Sequence, residues 1–483
     1  MENQKEEVRV RFAPSPTGFV HIGSLRTALF NYLFARHTNG KNILRIEDTD
    51  QTRKVDGAVD NLIKVMNSVG IDFDEGPVQG GDFGPYYQSQ RLNFYKKYCE
   101  ELISNSSAYY AFETSEELEV MRKMQMLEGR QTMYDRRARD LSDAEVNENL
   151  KNGIPFVIRL KVPLNSEVKF DDLIKGTIKI ETNNIDDQIL MKSDGFPTYH
   201  LANVVDDHLM NITHIIRGEE WITSVPKHIL IYRALGWNVP KMAHVPLILN
   251  RDKSKLSKRQ GDVAVEDYLQ KGYLREALIN FISFLGWNPG EGEEQEFFSM
   301  AEIIDKFTLE KVQSSGAVFN VDKLNWMNNN YIKNYDEDKL TEMSLPYFQK
   351  AGFDISDIGK TKKVLSAIKV YLNKLDEIPD HLKIFLQEKA ELENESLKEL
   401  LETESSKKVF QSLIKKFNNL DEVTADNYKS TVSEVQSETG VKGKLLFKPI
   451  RIAMTGSENG PELPVIAEIF GKDKLVRLFE RWS

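Results

Sequence analysis

The hydrophobic rhythm of the chain changes character several times, and each change predicts an element. Val8-Arg-Val-Arg-Phe12 alternates apolar with polar positions and predicts a strand. Leu25, Ala28, Leu29, Tyr32 and Leu33 fall at helical spacing as far as Arg36, and Asn39-Gly40 supplies a C-cap. Lys41–Ile46 reads as a second strand and the stretch near 59–69 as a second helix. Ser115–Leu127 predicts a charged helix; after it come a strand within Pro155–Pro163 and short strands around Val168, Ile178 and Ile189. Thr213–Trp221 has the pattern of a buried strand that ends in charged groups. Asn250–Arg259 carries Lys253, Lys255, Lys258, Arg251 and Arg259 without either period, and reads as a basic loop or a surface connector. Beyond about Asn330 the pattern is helical: Val364, Leu365, Ile368, Tyr371, Leu372 and Leu375 trace one apolar face, and Val409, Phe410, Leu413, Ile414 and Phe417 another.

A length of 483 residues accommodates two or three domains, and 40% hydrophobic with 29% charged residues suits a soluble globular chain. No run approaches the roughly 20 apolar residues that span a bilayer, and no signal-peptide pattern is read at the start, so no membrane partner is expected. One cysteine, Cys99, excludes an intrachain disulfide framework and agrees with a reducing cytoplasm. The net charge of −10 argues against general nucleic-acid affinity while leaving room for a local basic face. The cluster of Arg136, Arg137 and Arg139 reads as a solvated face.

Candidate chemistry concentrates between the first strand and the first helix. Arg11–Ser24 is a turn-rich loop with Gly18, Gly23 and hydroxyls at Ser15, Thr17 and Ser24. A strand, a Gly-containing loop and a helix N-terminus make an anion site, because orphan amides and the helix dipole favour phosphate. The same turn can also do no more than pack a helix closely on a sheet. No Gly-Lys-Ser/Thr follows the Gly18–Gly23 spacing, so this is not a Walker loop. Glu47 and Asp50 sit at the carboxyl end of the second predicted strand, where open α/β sheets bind ligands. Glu47 is placed to meet a ligand ammonium, whereas Asp50 reads as a cap for a helix from Arg53. Arg217, at another strand end, is a structural ion pair or a ligand anchor; Glu47 and Arg11 in the same fold favour the anchor. No Ser-His-Asp set is present.

Pro14-Ser-Pro-Thr-Gly18 followed by His21-Ile-Gly-Ser24 resembles the His-Ile-Gly-His signature of class I aminoacyl-tRNA synthetases, with Ser24 at the fourth position. The surrounding Arg-x-Ala-Pro-Ser-Pro-Thr-Gly narrows the resemblance to the glutamyl/glutaminyl branch. Lys255-Leu-Ser-Lys-Arg259 resembles the second signature, Lys-Met-Ser-Lys-Ser, and Gly443–Gly456 is similar to the C-terminal region of bacterial glutamyl-tRNA synthetases. The resemblance spans essentially the whole chain. It implies an α/β, Rossmann-like parallel-sheet catalytic domain with an α+β acceptor-binding insertion, followed by an all-α anticodon-binding region. The expected boundaries are 1–107 and 193–248 for the catalytic domain and 108–192 for the insertion. A signature-loop and stem-contact region follows at 249–330, and the helical region covers 331–483.

The resemblance further implies ATP-dependent ligation of L-glutamate to tRNA(Glu) through a glutamyl-adenylate, with Mg²⁺ accompanying ATP, by a cytoplasmic monomer. It assigns His21, Lys255 and Lys258 to catalysis. ATP contacts are implied for Thr17, Gly18, His21, Gly23, Ser24, Glu220, Leu249, Lys255, Ser257 and Lys258. Glutamate contacts are implied for Arg11, Ala13, Ser15, Glu47, Tyr199, Asn203 and Arg217. Arginine suits a second substrate carboxylate because its planar donors meet it in bidentate fashion. Bacterial relatives often hold zinc in the insertion, but the matching places here are Ala111, Glu113, Ala138 and Asp140, so no zinc is expected. Packing, with Tyr109, Tyr110 and Phe112 as core, must then hold the insertion, and Glu113 is available to an arginine of the 136–139 cluster. The alternatives are a non-catalytic tRNA-binding or regulatory relative and a glutamyl-queuosine-type enzyme, which would end before the helical region.

Overall fold

The structure is a computed structural model that describes residues 7–50, 55–256, 264–290 and 292–483. The chain divides into two compact units: residues 1–268 with 278–320, and residues 269–277 with 321–483.

In the first unit, β1 (Arg9–Phe12), α1 (Ile22–His37) and β2 (Lys41–Leu44) form a parallel strand–helix–strand turn, with Arg9 opposite Lys41 and Phe12 opposite Leu44. Helix α1 is buried on most sides: Leu25, Ala28, Leu29, Phe30 and Leu33 are fully covered. A helix apolar nearly all round belongs in an interior rather than on a surface. Gly40 must be glycine, since a Cβ there would collide with the backbone of Val8. Helix α2 (Ala58–Ser68) starts from Gly57, which adopts the left-handed conformation and is its N-cap. The segment from Arg53 that Asp50 was expected to cap begins outside the described residues.

After α3 (Leu92–Ser104) come β3 (Ala108–Ala111), α4 (Ser115–Leu127), α5 (Asp143–Lys151) and β4 (Val157–Leu160). Strands β5 (Glu167–Asp172), β6 (Gly176–Glu181) and β7 (Ile189–Met191) follow. β3, β4 and β7 pair as an antiparallel sheet. Both α4 and α5 begin with a capping box, Thr114 with Glu117 and Ser142 with Glu145, which satisfies orphan amides reciprocally.

Beside that sheet, Ala111, Met121, Tyr134 and Ala138 form a small buried cluster. The buried positions of β3 are Ala108 and Ala111, while Tyr109, Tyr110 and Phe112 are only partly covered. The Tyr134 hydroxyl donates to Glu113 at 2.7 Å and accepts from the Ala138 amide at 3.2 Å. Arg159 lies over the Tyr134 ring at 3.7 Å. Glu113 thus takes a tyrosine rather than an arginine. The arginine cluster also departs from a simple solvated face: Arg137 pairs with its neighbour Asp135, but Arg139 turns in to the buried Asp187.

Helix α6 (Tyr199–Leu209), β8 (His214–Gly218), α7 (Val225–Ala234) and β9 (Lys241–Val245) complete the main sheet. Its order is β6-β5-β9-β8, with β8 and β9 parallel and β5 and β6 an antiparallel hairpin. The Thr213 amide donates to the Arg9 carbonyl at 2.9 Å, which sets the head of β8 beside β1. Further on, β10 (Ile248–Leu249) pairs in parallel with β11 (Ala317–Val318).

The second unit is helical. Residues 404–418, 425–439, 444–455 and 463–480 pack around Val409, Phe410, Leu413 and Phe417, a face the spacing predicts. A second cluster gathers Val364, Leu365, Ile368, Leu372 and Leu375 with Leu274 and Ala277. Among the described residues no helix is long and apolar enough to cross a membrane.

Candidate active site

The loop from Ala13 to His21 is strapped to the carboxyl end of β2: the Glu47 amide donates to the Pro14 carbonyl at 3.0 Å, and Val55 to Pro16 at 3.1 Å. His21 is the N-cap residue of α1, with no side-chain capping bond and no acidic residue in the first turn. The positive end of the helix is therefore not neutralised by its own sequence. His21 also bridges Ala264, and the Val20 carbonyl accepts from Val265.

A cavity of about 810 Å³ opens here. The loop lines it with Arg11, Ala13, Ser15, Thr17, Gly18, His21, Gly23 and Ser24; Glu47 and Asp50 follow from the end of β2. Tyr199 and Asn203 of α6, Arg217 and Glu220 from the end of β8, and Lys255 close it. Leu249 does not line it, although its neighbours Ile248 and Leu256 do. Ser257 and Lys258 lie outside the described residues.

Lys255 reaches this wall through a tight hairpin. The Asn250 amide donates to the Ser254 carbonyl at 2.8 Å and Leu256 returns to Ile248 at 3.0 Å. Lys253 occupies the left-handed region at φ 65°, and Leu249 bridges Lys255.

The floor of the site is a buried ion network that the sequence reading did not single out. Arg11 donates from two nitrogens to Asp207, at 3.0 and 3.1 Å, and Arg45 donates to the same carboxylate at 2.6 Å. Asp206 accepts from Arg91 at 2.7 Å, from Tyr95 at 2.8 Å and from Gln88 at 2.8 Å. Burial works against the charged form of Asp207, but Arg11 and Arg45 outweigh it and hold the carboxyl below its ordinary range. Glu47 goes the other way. Burial pushes its carboxyl up, and the attraction of Arg45 and Arg11 does not fully offset that. Glu47 accepts from Arg45 at 3.2 Å and Asn203 at 3.3 Å. An acidic pair inside the apolar run of α6, between Leu201, Ala202, Val204 and Val205 and the end of the helix, was the available signal.

Arg217 is held from behind. Its Nε donates to His244 at 3.0 Å and a terminal nitrogen donates to the Tyr199 hydroxyl at 2.6 Å. Trp221, which the sequence reading named only as the end of a strand pattern, stands at the cavity wall with its ring centre 4.4 Å from that of Tyr199. Gly218 leaves room for Glu220, whose carboxylate a Cβ at 218 would strike.

A helix N-terminus without acidic residues, a histidine and a lysine on one wall, and an arginine–tyrosine pair facing a buried glutamate on another suit two substrates. One is a polyanion and the other an amino acid. This is the layout of a class I aminoacyl-activating enzyme, with its ligands at the carboxyl ends of parallel strands. The chain belongs to the glutamyl and glutaminyl branch of the class I tRNA synthetases: the family model described as tRNA synthetases class I (E and Q), catalytic domain, matches residues 7–326. The anticodon binding domain model matches residues 339–480.

The glutamate–tRNA ligase of Clostridioides difficile is 47% identical over 479 residues, covering 96% of this chain and 97% of its own. That of Chlorobaculum parvum is 46% identical, covering 99% and 97%. A solved glutamate–tRNA ligase from Elizabethkingia meningosepticum, in complex with its amino acid, superposes with a TM-score of 0.92 at 35% identity and 99% coverage of both chains.

Proposed function

We propose that this chain activates L-glutamate with ATP and transfers it to tRNA(Glu) for translation. The observation that carries this reading is one cavity containing both the α1 N-terminal loop with His21 and Lys255 and the Arg217–Tyr199 pair opposite Glu47. In this reading Arg217 and Tyr199 hold the side-chain carboxylate of glutamate, with Arg11, Ala13 and Ser15 shaping the pocket. Glu47, supported by Asn203, takes the ammonium. Thr17, Gly18, Gly23 and Ser24 receive the phosphates at the start of α1, Glu220 meets the nucleoside, and Leu249 acts through the hairpin that carries Lys255.

Both nucleophiles, the glutamate carboxylate and then the terminal ribose hydroxyl of tRNA, come from substrates. The protein's work is orientation and stabilisation of charge on the transferring phosphorus and leaving pyrophosphate. His21 and Lys255 suit that work as donors; Lys258 joins them by resemblance. In this reading Mg²⁺ enters as part of the ATP substrate, carried by its phosphates. Zinc has no part in this reading. The helical region takes the anticodon stem, and buried Cys99 fits a reducing cytoplasm.

Pyrophosphate exchange with and without tRNA, followed by charging of purified tRNA(Glu) and tRNA(Gln) separately, tests the proposal. Glutamate charging of tRNA(Glu) is expected. Failure to charge it, with exchange absent in the presence of tRNA, would overturn the reading.

A further inference from the structure

Behind Arg217 lies a chain of buried groups that ends on the β5–β6 hairpin. Asp172, the last residue of β5, accepts from the backbone amides of Ile174 at 3.0 Å and Lys175 at 2.9 Å through one oxygen. Its other oxygen takes the His244 amide at 3.1 Å and stands 2.6 Å from His244 Nδ1. Neither the His244 nor the Asp172 side chain reaches solvent. On the far side of the ring, Arg217 Nε lies 3.0 Å from His244 Nε2.

Hydrogen-bond inventory fixes the tautomer. An ionised carboxylate only accepts and a guanidinium only donates. Asp172 therefore requires the proton on Nδ1, and Arg217 requires Nε2 to be bare. Only neutral imidazole protonated at Nδ1 satisfies both partners. Burial lowers the His244 pKa and keeps the ring neutral, against the pull of Asp172.

We propose that His244 and Asp172 are positioning residues for substrate recognition: Asp172 sets the tautomer of His244, and His244 fixes the plane of the Arg217 guanidinium so that its remaining donors face the cavity with Tyr199. The inference rests on the glutamate reading above. A flexible arginine must lose rotamer freedom on meeting a carboxylate; one already held at Nε and at a terminal nitrogen has less to lose. The effect belongs on glutamate alone, because Arg217 and not the phosphate loop is what His244 touches.

Asp172→Asn is the informative change. Its oxygen can keep the Ile174 and Lys175 amides, which turns the amide NH₂ toward His244 Nδ1. The ring must then carry its proton on Nε2, donor against donor with Arg217. His244→Phe removes the acceptor, whereas His244→Gln keeps an oxygen within reach of Arg217. Steady-state charging kinetics should show KM for glutamate raised roughly tenfold to a hundredfold in Asp172→Asn and His244→Phe. KM for ATP should stay near wild type, and His244→Gln should recover most of the loss. Unchanged KM for glutamate, or equal losses for glutamate and ATP, would overturn the assignment. Should Asp172→Asn fail to fold, the Phe-against-Gln comparison at 244 decides alone. The wild-type enzyme in the same assay separates the two claims: if it does not charge glutamate the functional reading fails, and if it does while the variants match it this inference fails.

Discussion

Arg11 and Asp207, 196 positions apart in sequence, meet through two hydrogen bonds of 3.0 and 3.1 Å, and Asp207 also serves Arg45 at 2.6 Å. One carboxylate thus compensates two guanidiniums, and Asp207 and Arg45 are fully enclosed. Asp207→Ala leaves both cations buried without it. Breaking a buried pair by removing one partner costs on the order of 3–5 kcal/mol. Denaturant unfolding should report a loss of that size, and a change below about 1 kcal/mol would show that water or Asp206 replaces the lost charge.

The same carboxylate makes stability depend on acid. The folded pKa of Asp207 is depressed, so its contribution is fully present above the unfolded carboxyl value of about 3.9 and disappears as pH falls toward the folded value. Melting temperatures recorded from neutral pH down to about 3 should fall more steeply below about 4 for wild type than for Asp207→Asn. Parallel curves would mean that other groups govern acid unfolding.

Arg217→Ala should injure use of glutamate and spare ATP. The substrate's second carboxylate would enter a partly desolvated pocket without its paired charge, a loss on the order of 3–5 kcal/mol. Separate Michaelis constants for glutamate and ATP settle it, and an unchanged value for glutamate removes Arg217 from the pocket assignment.

Lys255→Ala should slow adenylate formation by about 10²–10³ while glutamate binding changes little, because a donor aimed at the leaving pyrophosphate counts mainly in the transition state. Pyrophosphate exchange measured beside glutamate binding makes the distinction. An exchange rate within a few-fold of wild type would clear Lys255 of a catalytic part. Lys258, by resemblance, is expected to behave alike.

The segment around Ala111 and Ala138 is expected to stand without metal. Its small cluster is closed by the Tyr134 hydroxyl, which joins Glu113 to the Ala138 amide. Tyr134→Phe should cost about 1 kcal/mol, since a partly buried Glu113 oxygen loses its donor. Prolonged chelation followed by elemental analysis should leave charging intact with no stoichiometric zinc. Zinc that is retained and needed for charging would refute this.

What sequence could reveal here was set by the range of each interaction. The strand–loop–helix from Val8 to Arg36 and the apolar faces at Val364–Leu375 and Val409–Phe417 are local patterns, and the chain follows them. The residues behind the cavity wall are another matter. His244 finds Asp172 from 72 positions away, and only the pairing of β5 with β9 puts them together. Helix α2 opens at Gly57, in the left-handed conformation and with no side-chain cap for a sequence pattern to announce. Local chemistry could mislead as well. Glu113 had arginines nearby in sequence, yet Arg137 is taken by Asp135 and Arg139 by Asp187.

Arg26, on α1, donates to the carbonyls of Pro246 and Leu285, 220 and 259 residues further on. Arg9 likewise leans on Thr213, and Arg11 on Asp207. These early elements are therefore completed by residues that the ribosome adds much later. A nascent chain that has exposed α1 but not yet residue 207 holds Arg11 and Arg26 without these later partners. Contacts this distant in sequence close slowly, so the loop between β1 and α1 takes its shape only with residues that follow by 196 to 259 positions.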